Sequence, residues 1–525
     1  MSEELALGTG RMPRQIPYII ANEGCERFSF YGMRNILTPF LISTLLLFLP
    51  ESERAGDAKH VFHTFVIGVY FFPLLGGFLA DRFFGKYNTI FWMSLIYCAG
   101  HACLAAFDDN VTGFYTGLGL IALGSGGIKP LVASFMGDQF DQSNKHKAKV
   151  VFDAFYWIIN FGSFFASLLM PIFLKNYGAS VAFGIPGVLM AIATLFLWSG
   201  RRKYVHVPPA PPNPHSFTRV ARTALLAHAS GQGRPGLAIA CVGALAALGS
   251  LIMSYQWGFV IGACFALVLL LAFGGVGTAL QLERARGVHP DDAVDGVRAV
   301  LRTLIVFALI TPFWSLFDQK ASTWIVQANS MTHPTVDLFG YSYQFVPAQM
   351  QALNPMLVML LIPFNNLVLF PFMRRIGIEP TALRRMTVGI GFTALAWVVI
   401  GIIQVVMDGG TPTSMAWQIL PYALLTIGEV LVSATGLEFA YSQAPESMKG
   451  VIMSFFNLTV TVGSLWVLIV NASVKNDAVL GRIKDSGFSV IAFQMFFFAA
   501  FAFTAALIFG WYARRYKMVD NYRAQ

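Results

Sequence analysis

Long apolar segments alternate with short polar stretches along almost the whole chain. Fourteen of these segments approach or exceed the roughly 20 residues that a helix needs to cross a bilayer. They cover residues 17–48, 61–80, 88–107, 112–135, 151–174, 181–199, 236–254, 257–281, 299–325, 347–372, 385–407, 415–440, 450–472 and 487–513. The pattern predicts an all-α membrane protein with about fourteen transmembrane helices.

Two longer polar stretches divide the predicted helices into groups of six, two and six. A proline-rich stretch follows the sixth segment, and an acidic stretch follows the eighth. We therefore predict an N-terminal six-helix bundle, a cytoplasmic linker, an inserted helix pair, a second cytoplasmic linker and a C-terminal six-helix bundle. Their residues are 1–200, 201–235, 236–283, 284–298 and 299–525. Two six-helix halves place a central site at their interface.

Lysine and arginine are concentrated in alternate polar stretches. Residues 145–149, 201–203 and 514–523 are rich in cations, whereas the intervening stretches hold few. The positive-inside rule places the rich stretches, and with them both termini, in the cytoplasm. This orientation requires an even number of helices in the cell inner (plasma) membrane, and fourteen satisfies it.

Composition supports the membrane class and excludes others. Hydrophobic residues make up 56% of the 525 and charged residues 12%, against about 25% charged in soluble proteins. The net charge of +9 is spread over many short clusters, so topology explains it better than nucleic-acid binding. The sequence has no nucleotide loop, nucleophile elbow or metal-spaced cluster. We expect no enzymatic activity, no cofactor and no metal.

The first apolar segment carries an unusual set of ionisable side chains. At about 100° per residue, they fall within roughly 140° of one helix face. They are Glu23, Glu26, Arg27, Tyr31 and Arg34. Each charge inside a membrane costs roughly 2.5–3.5 kcal/mol on insertion scales, so such groups normally face a wet cavity and serve a function. The pattern indicates a polar pathway with carboxylates available for protons.

Two further charges lie in apolar segments, and each has two interpretations. Lys129 either snorkels from near a helix end or meets an anionic ligand or partner. Glu429 lies about fifteen residues into its segment, so a cation must offset its charge. That cation is either a ligand or a lysine in a buried pair that only locks the bundle.

Five stretches, in order along the chain, resemble signature motifs of one transporter family. They are residues 23–32, 124–130, 155–163, 313–319 and 428–445. The chain thereby resembles the proton-dependent oligopeptide transporter (POT) family, a branch of the major facilitator superfamily. The inserted helix pair is similar to that of prokaryotic members, while the segments around His63, 313–319 and 436–445 are closer to animal members. The resemblance implies a major facilitator fold of two six-helix bundles.

The resemblance also implies how a peptide is held. Arg34 and Lys129 would bind its carboxylate. Glu429 would receive its amino terminus, with Asn160 and Asn354 as hydrogen-bonding neighbours.

Aromatic side chains match family positions that line the peptide site. Tyr31, Tyr70 and Tyr156 are phenols that can bind a peptide backbone while tolerating varied side chains. Trp314 fits the seventh-helix motif. Phe30 stands where many members have tyrosine, so side-chain preference cannot be carried over from the family.

Proton coupling is implied at a second set of residues. The set is Glu23, Glu26, Arg27, His63 and Asp318, and histidine titrates near neutral pH. Arg27 is expected to pair with a carboxylate, and three candidates remain open: Glu23, Glu26 and Asp318.

The leading interpretation is a proton-coupled symporter that imports di- and tripeptides by alternating access, functional as a monomer in the lipid bilayer. The alternative within the same fold is a proton-coupled carrier of nitrate or another small anion. A different class would be a proton-gated channel or receptor, which the two-half architecture disfavours. Lys320 is a further intramembrane charge for which the sequence suggests no role.

Overall fold

Twenty α-helices and two short β-strands make up most of the chain that the structure describes. The computed structural model describes residues 12–140, 148–209, 213–228, 233–338, 341–377, 381–443, 449–474 and 476–516. The helices run back and forth across a common slab, with short turns at both ends. We call the end that carries the polar linkers the linker end, and the end that carries the two strands the strand end.

The N-terminal bundle contains seven helical pieces that form six crossings. They are α1 (Ile16–Phe40), α2 (Glu51–Leu79), α3 (Lys86–Ala106), α4 (Val111–Gly126), α5 (Lys129–Gly137), α6 (Ala148–Tyr177) and α7 (Ala179–Ser199). The fourth crossing is interrupted between α4 and α5. Pro39 and Pro73 lie inside α1 and α2, and each of these helices ends in a π-helical turn. Proline removes a backbone donor, and such local adjustments re-satisfy the carbonyls it leaves.

The inserted and C-terminal parts follow after a polar linker. Their helices are α8 (Phe217–Leu226), α9 (Pro235–Trp257), α10 (Phe259–Gln281), α11 (Asp291–Phe317), α12 (Thr323–Asn329), α13 (Leu353–Phe364), α14 (Phe370–Arg375), α15 (Ala382–Asp408), α16 (Ile419–Glu429), α17 (Thr435–Gln443), α18 (Lys449–Ser473), α19 (Asp477–Asp485) and α20 (Val490–Ala513). Helices α9 and α10 form the inserted pair. A 3₁₀ turn, Asp318–Ala321, joins α11 to α12.

Twelve helical segments are long and apolar enough to cross a membrane, within the described residues. Two further helical segments, 16–45 and 353–375, complete the fourteen predicted ones. The first carries the Glu23–Arg34 charges, and the second is interrupted by a π-helical turn. The charges lower the mean hydropathy of the first segment, and the π-helical turn interrupts the second.

Two helices begin well before the apolar runs that predicted them. Helix α2 begins at Glu51 rather than at 61, directly after Pro50. Helix α11 begins at Asp291 rather than at 299, directly after Pro290. Acidic residues in a first turn interact favourably with the helix dipole, although they lower local hydropathy. The predicted second linker, 284–298, is therefore helical over its last eight residues.

The first linker contains a helix that the sequence analysis did not predict. Val220 and Ala224 of α8 are fully buried, on the face that packs against α10 and α11. Gln281 stabilises this packing, because its Nε2 donates a hydrogen bond to the carbonyl of Ala224 at 3.1 Å. Its Oε1 accepts from the backbone N–H of Gly236 at 2.6 Å. One buried amide thus joins α8, α9 and α10.

A pair of histidines holds the start of α8 to the loop before α11. The Nδ1 atoms of His215 and His289 lie 2.9 Å apart, and Thr223 Oγ1 lies 2.9 Å from His289 Nε2. Burial lowers the pKa of His289, and nearby His215 and Arg219 lower it further. Neutral His289 is therefore the form that this contact favours.

A two-stranded sheet caps the strand end, which departs from the predicted all-helical chain. Strands β1 (Thr335–Leu338) and β2 (Tyr341–Gln344) pair antiparallel, with Thr335 opposite Gln344. The sheet lies in the connection between α12 and α13. It leaves the membrane-spanning architecture all-α, as predicted.

We expect Gln281→Leu to loosen α8 from the inserted pair. The near-isosteric change leaves a buried carbonyl and N–H without a partner, at about 1–3 kcal/mol for each group. Trypsin should cleave faster after Arg219 and Arg222, as read by mass spectrometry, and the thermal unfolding midpoint should fall. Gln256→Leu is the matched control, because Gln256 is exposed near the end of α9. Equal cleavage in both variants would contradict the role given to Gln281.

Candidate functional site

The fourteen candidate residues predicted from the sequence lie on seven crossing segments of the two bundles. They are Glu23, Glu26, Arg27, Tyr31 and Arg34 on α1, His63 and Tyr70 on α2, Lys129 on α5, Tyr156 and Asn160 on α6, Trp314 and Asp318 at the end of α11, Asn354 on α13 and Glu429 on α16. The structure brings them together as three contact clusters and several separate side chains.

The first cluster is contained within α1. Arg27 Nε lies 2.5 Å from Glu23 Oε1 and 3.2 Å from Glu26 Oε2. Both carboxylates are fully buried. Of the three partners left open for Arg27, the structure thus selects the two on its own helix. Two carboxylates share one guanidinium, so the cluster has one negative charge in excess when both acids are ionised.

The second cluster joins the two bundles. Arg34 Nη2 donates to Asp318 Oδ1, and the two groups form an ion pair. Both side chains are buried. Within the described residues, Asp318 Oδ2 has no hydrogen-bond partner. In this conformation Asp318 engages the Nη2 of Arg34. Removing one partner of a buried pair generally costs about 3–5 kcal/mol.

His63 extends this contact between the bundles. Its Nε2 lies 3.1 Å from Ser322 Oγ, four residues beyond Asp318. The sequence analysis placed His63 at a helix start, but α2 already begins at Glu51, and the imidazole is fully buried. Ser322 was missed, although its spacing of four residues from Asp318 is one helical turn.

Hydrogen bonds from side chains to backbone carbonyls join the bundles in the strand half of the interface. Thr38 Oγ1 donates to the carbonyl of Ala321 at 2.7 Å, and Gln351 Nε2 donates to the carbonyl of Asn35 at 3.1 Å. Gln349 Nε2 reaches across in the same way to Leu168. These three hydrogen bonds hold α1 and α6 against the opposite bundle on the strand side of the central charges.

The linker half of the interface is more accessible. Tyr156, on the linker side of α6, is 42% exposed. The contacts between the bundles described above lie instead on the strand side of the central charges.

The third cluster lies in the C-terminal bundle and assigns a contact to Lys320. Lys320 Nζ donates to Asn354 Oδ1 at 2.9 Å. Asn354 Nδ2 in turn donates to Glu429 Oε2 at 2.5 Å and to Thr426 Oγ1 at 3.0 Å. Asn354 therefore bridges a cation and an anion. The sequence signal for Thr426 was its position three residues before Glu429, on the same helix face.

Lys129 is separate from the acidic clusters. Its Nζ lies 3.6 Å from the ring centroid of Phe30 and 4.7 Å from that of Tyr70. No carboxylate of the described residues forms an ion pair with it. Because its ammonium rests on rings of α1 and α2, Lys129 is held at the bundle interior and does not snorkel. Phe30, noted as a departure from the family, is the ring that it contacts most closely.

Two of the predicted side chains, Asn160 and Trp314, contact residues of their own bundle. Asn160 Nδ2 donates to the carbonyl of Tyr156 on its own helix at 3.0 Å and does not contact Glu429. Trp314 packs edge-on against Phe313 and Phe456, with ring centroids 4.9 and 6.4 Å away. No group of three or more metal-ligating side chains occurs among the described residues.

Comparison with known proteins decides the family. The model of the family described as "POT family" matches residues 87–484, about three quarters of the chain. The chain belongs to the POT family. The membership predicted from the five motifs is thereby confirmed.

Two curated relatives have similar sequences over most of this chain. Solute carrier family 15 member 2 of Mus musculus is 31% identical over 440 residues, which cover 81% of this chain and 54% of that protein. Peptide transporter family 2 of Caenorhabditis elegans is 31% identical over 419 residues, covering 77% and 48%. This POT family chain thus spans about half the length of the curated relatives it matches.

Solved POT structures match nearly the full chain. A crystal structure of an autoinhibited POT family peptide transporter is 68% identical, with a TM-score of 0.93 over 98% of this chain and 99% of the other. The POT family transporter PepTSo is 65% identical, also with a TM-score of 0.93, over 98% and 100%. These matches confirm the predicted major facilitator fold.

We expect Asp318→Asn to loosen the strand end. The change leaves Arg34 as a buried cation without its counter-charge, which weakens the contact between α1 and the 318–321 turn. Spin labels at positions 109 and 477, exposed at the strand end of opposite bundles, should report a longer and broader distance distribution in a cysteine-free background. Asp337→Asn, exposed on β1, is the control. An unchanged distribution in Asp318→Asn would contradict a closing role.

Proposed function

We propose that this protein is a proton-coupled symporter that imports di- and tripeptides by alternating access between its two bundles. The observation that carries the proposal is the separation of charge across the interface. Lys129 is a cation on the N-terminal side without an ion-pair partner among the described residues, and Glu429 is an anion on the C-terminal side. A short peptide is a zwitterion, and each of its termini would meet an opposite charge.

The amino terminus of the peptide is assigned to Glu429. This carboxylate already accepts from Asn354, which in turn accepts from Lys320. Lys320 reaches Glu429 only through Asn354, whereas an incoming ammonium would form a direct ion pair with Glu429. Lys320 and Asn354 thus hold the acid oriented between transport cycles.

The carboxylate of the peptide is assigned to Lys129 and, after a proton step, to Arg34. While Asp318 is ionised, it occupies Arg34. A proton on Asp318 removes that negative charge, which frees the guanidinium for a ligand and weakens the contact that closes the strand end. Proton uptake, peptide binding and opening would then share one ion pair.

Two fixed charges also limit the length of the cargo. Binding energy at both termini is available only when the backbone spans the distance between Lys129 and Glu429. Tyr31, Tyr70 and Tyr156 offer phenols for the backbone between them without selecting particular side chains. This arrangement favours di- and tripeptides of varied sequence.

Proton coupling is assigned also to the α1 cluster and to His63. Because Glu23 and Glu26 share Arg27, one carboxyl can take a proton while the other keeps its ion pair. His63 lies within hydrogen-bond distance of Ser322, so its ionisation state bears on the same contact between the bundles. Release of a proton from these groups toward the linker end would reset the carrier.

The orientation in the membrane is proposed from topology. The positive-inside rule puts the linker end in the cytoplasm and the strand end, where the contacts between the bundles lie, on the opposite side. The protein would function as a monomer in the inner membrane, with both termini inside. The Caenorhabditis elegans relative is named as a peptide transporter, which supports the assignment of cargo.

The alternative is a proton-coupled carrier of nitrate or another small anion. One observation favours it: Lys320 is linked to Glu429 through Asn354, which offsets the acid's repulsion of an anion at Lys129. An anion alone, however, would leave Glu429 without a role.

Uptake into liposomes tests the cargo. We expect labelled dialanine to accumulate only with an inward proton gradient, and Glu429→Gln to reduce uptake at least tenfold because the amide has no charge for the amino terminus. Glu53→Gln, at an exposed acid in the first turn of α2, is the control. Gradient-driven nitrate uptake without dialanine uptake would establish the alternative and overturn the peptide assignment.

A second experiment separates coupling from binding. In Glu23→Gln, one carboxylate of the α1 cluster is permanently neutral, so the proton step is removed while Lys129 and Glu429 remain. We expect exchange of labelled for unlabelled dialanine across the liposome membrane to persist within about twofold, while gradient-driven accumulation is lost. Accumulation at the unmodified rate would show that Glu23 takes no part in coupling.

A further inference from the structure

A continuous apolar groove runs between the inserted helix pair and the C-terminal bundle. Two adjoining cavities of about 360 and 440 Å³ form it, and both are lined by Leu271, Gly275, Leu301 and Leu304. The groove is bounded by α10 on one side and by α11 and α18 on the other. It opens to the outside of the helix bundle, away from the central charges, so it is distinct from the candidate transport site.

Small side chains on α10 leave the groove empty of protein. A Cβ built on Gly274 would meet no atom within 4 Å. The groove extends along α10 from residue 268 to residue 279, which at 1.5 Å per residue is about 16 Å. One leaflet of a bilayer has about 15 Å of hydrocarbon. The groove therefore matches the depth of one leaflet, on the linker side.

Helix α8 lies across the mouth of the groove. Phe217, Ala221 and Leu225 line the cavity on one face of this helix, at the spacing of an amphipathic helix. The opposite face is polar and carries Arg219. A short basic amphipathic helix at this depth is typical of a segment in the headgroup region. Gln281 and His289 hold it in place, so the mouth is built into the fold.

Arg222 supplies a cation at this mouth. It lines the cavity, is exposed and forms no ion pair among the described residues. Arg286 and Arg298 in the second linker differ, because both pair with Glu283 and Asp295. Among the described residues, the guanidinium beside the apolar groove thus has no protein counter-charge, unlike Arg286 and Arg298.

We propose that this groove binds one anionic phospholipid, with an acyl chain between α10 and α11 and the phosphate at Arg222. The apolar lining matches the chain, its length matches one leaflet, and the cation at its mouth matches the headgroup. A bound lipid fills the space between the inserted helix pair and the C-terminal bundle. The pair is then joined to that bundle partly through lipid.

Native mass spectrometry of the full chain in detergent tests the proposal. The probes are phosphatidylglycerol and phosphatidylcholine with identical acyl chains. We expect one phosphatidylglycerol to bind at least fivefold more tightly than phosphatidylcholine. Arg222→Gln should weaken phosphatidylglycerol about fivefold, the factor that corresponds to ~1 kcal/mol for one basic residue at a membrane surface.

Filling the groove tests the position of the chain. Gly274→Leu places a side chain in the empty space and should weaken phosphatidylglycerol at least tenfold, without disturbing the fold. Gly249→Leu on α9 is the matched control, because a Cβ there also meets nothing within 4 Å and lies outside the groove. Arg202→Gln, at another exposed linker-end arginine, controls for charge.

Four results would overturn the proposal. Equal affinity for the two lipids would show that the charge of the headgroup does not contribute to binding. Unchanged phosphatidylglycerol binding in Gly274→Leu would show that the chain lies elsewhere. A dimer that Gly274→Leu abolishes would assign the groove to a second copy of the chain instead. Displacement of the lipid by soluble glycerol phosphate alone would reduce the site to a phosphate contact and equally contradict it.

Discussion

The ion pair between Arg34 and Asp318 joins the two bundles through buried charges inside the membrane-spanning region. A charge inside a bilayer is tolerated only with a partner or with water, and this pair gives each bundle the partner of the other. The neighbouring contact between His63 and Ser322 shares that geometry. Because the attraction is strong only while Asp318 is ionised, the proposed proton on Asp318 would weaken this contact between the bundles. An apolar contact of the same area would offer no such control.

The α1 cluster and the Arg34 pair use charge differently. Arg27 satisfies two acids of its own helix, so changes there alter the charge of α1 without breaking a contact between bundles. Arg34 lies seven residues later, two helical turns along nearly the same face, where it meets the opposite bundle. Helix α1 thus carries both a cluster of ionisable groups and a contact between the bundles. This proximity is a physical reason to expect that their ionisation is linked.

Much of the fold followed from the sequence because its physical cause is local. Apolar length fixed the fourteen crossings, and the charges of α1 marked its polar face. What the sequence did not predict depends on tertiary contact. The helix around Val220 has an apolar face of only a few residues, and its docking depends on Gln281, 57 residues away from Ala224. The early start of α2 was missed because Glu51 is favourable to a helix N-terminus but unfavourable to hydropathy.

The candidate site shows the same division. Each intramembrane charge was identifiable by its cost, yet the choice of partner for Arg27 required the geometry, as did the contact of Lys320. Asn354 is the instructive case, because an asparagine carries no charge and little pattern. Its amide is both acceptor and donor, so it orients between Lys320 and Glu429 and transmits the polarity of one to the other. A carboxylate held by a neutral amide remains available to a stronger partner, such as the peptide ammonium proposed above. A direct Lys320–Glu429 pair would instead have to be broken before that ammonium could bind.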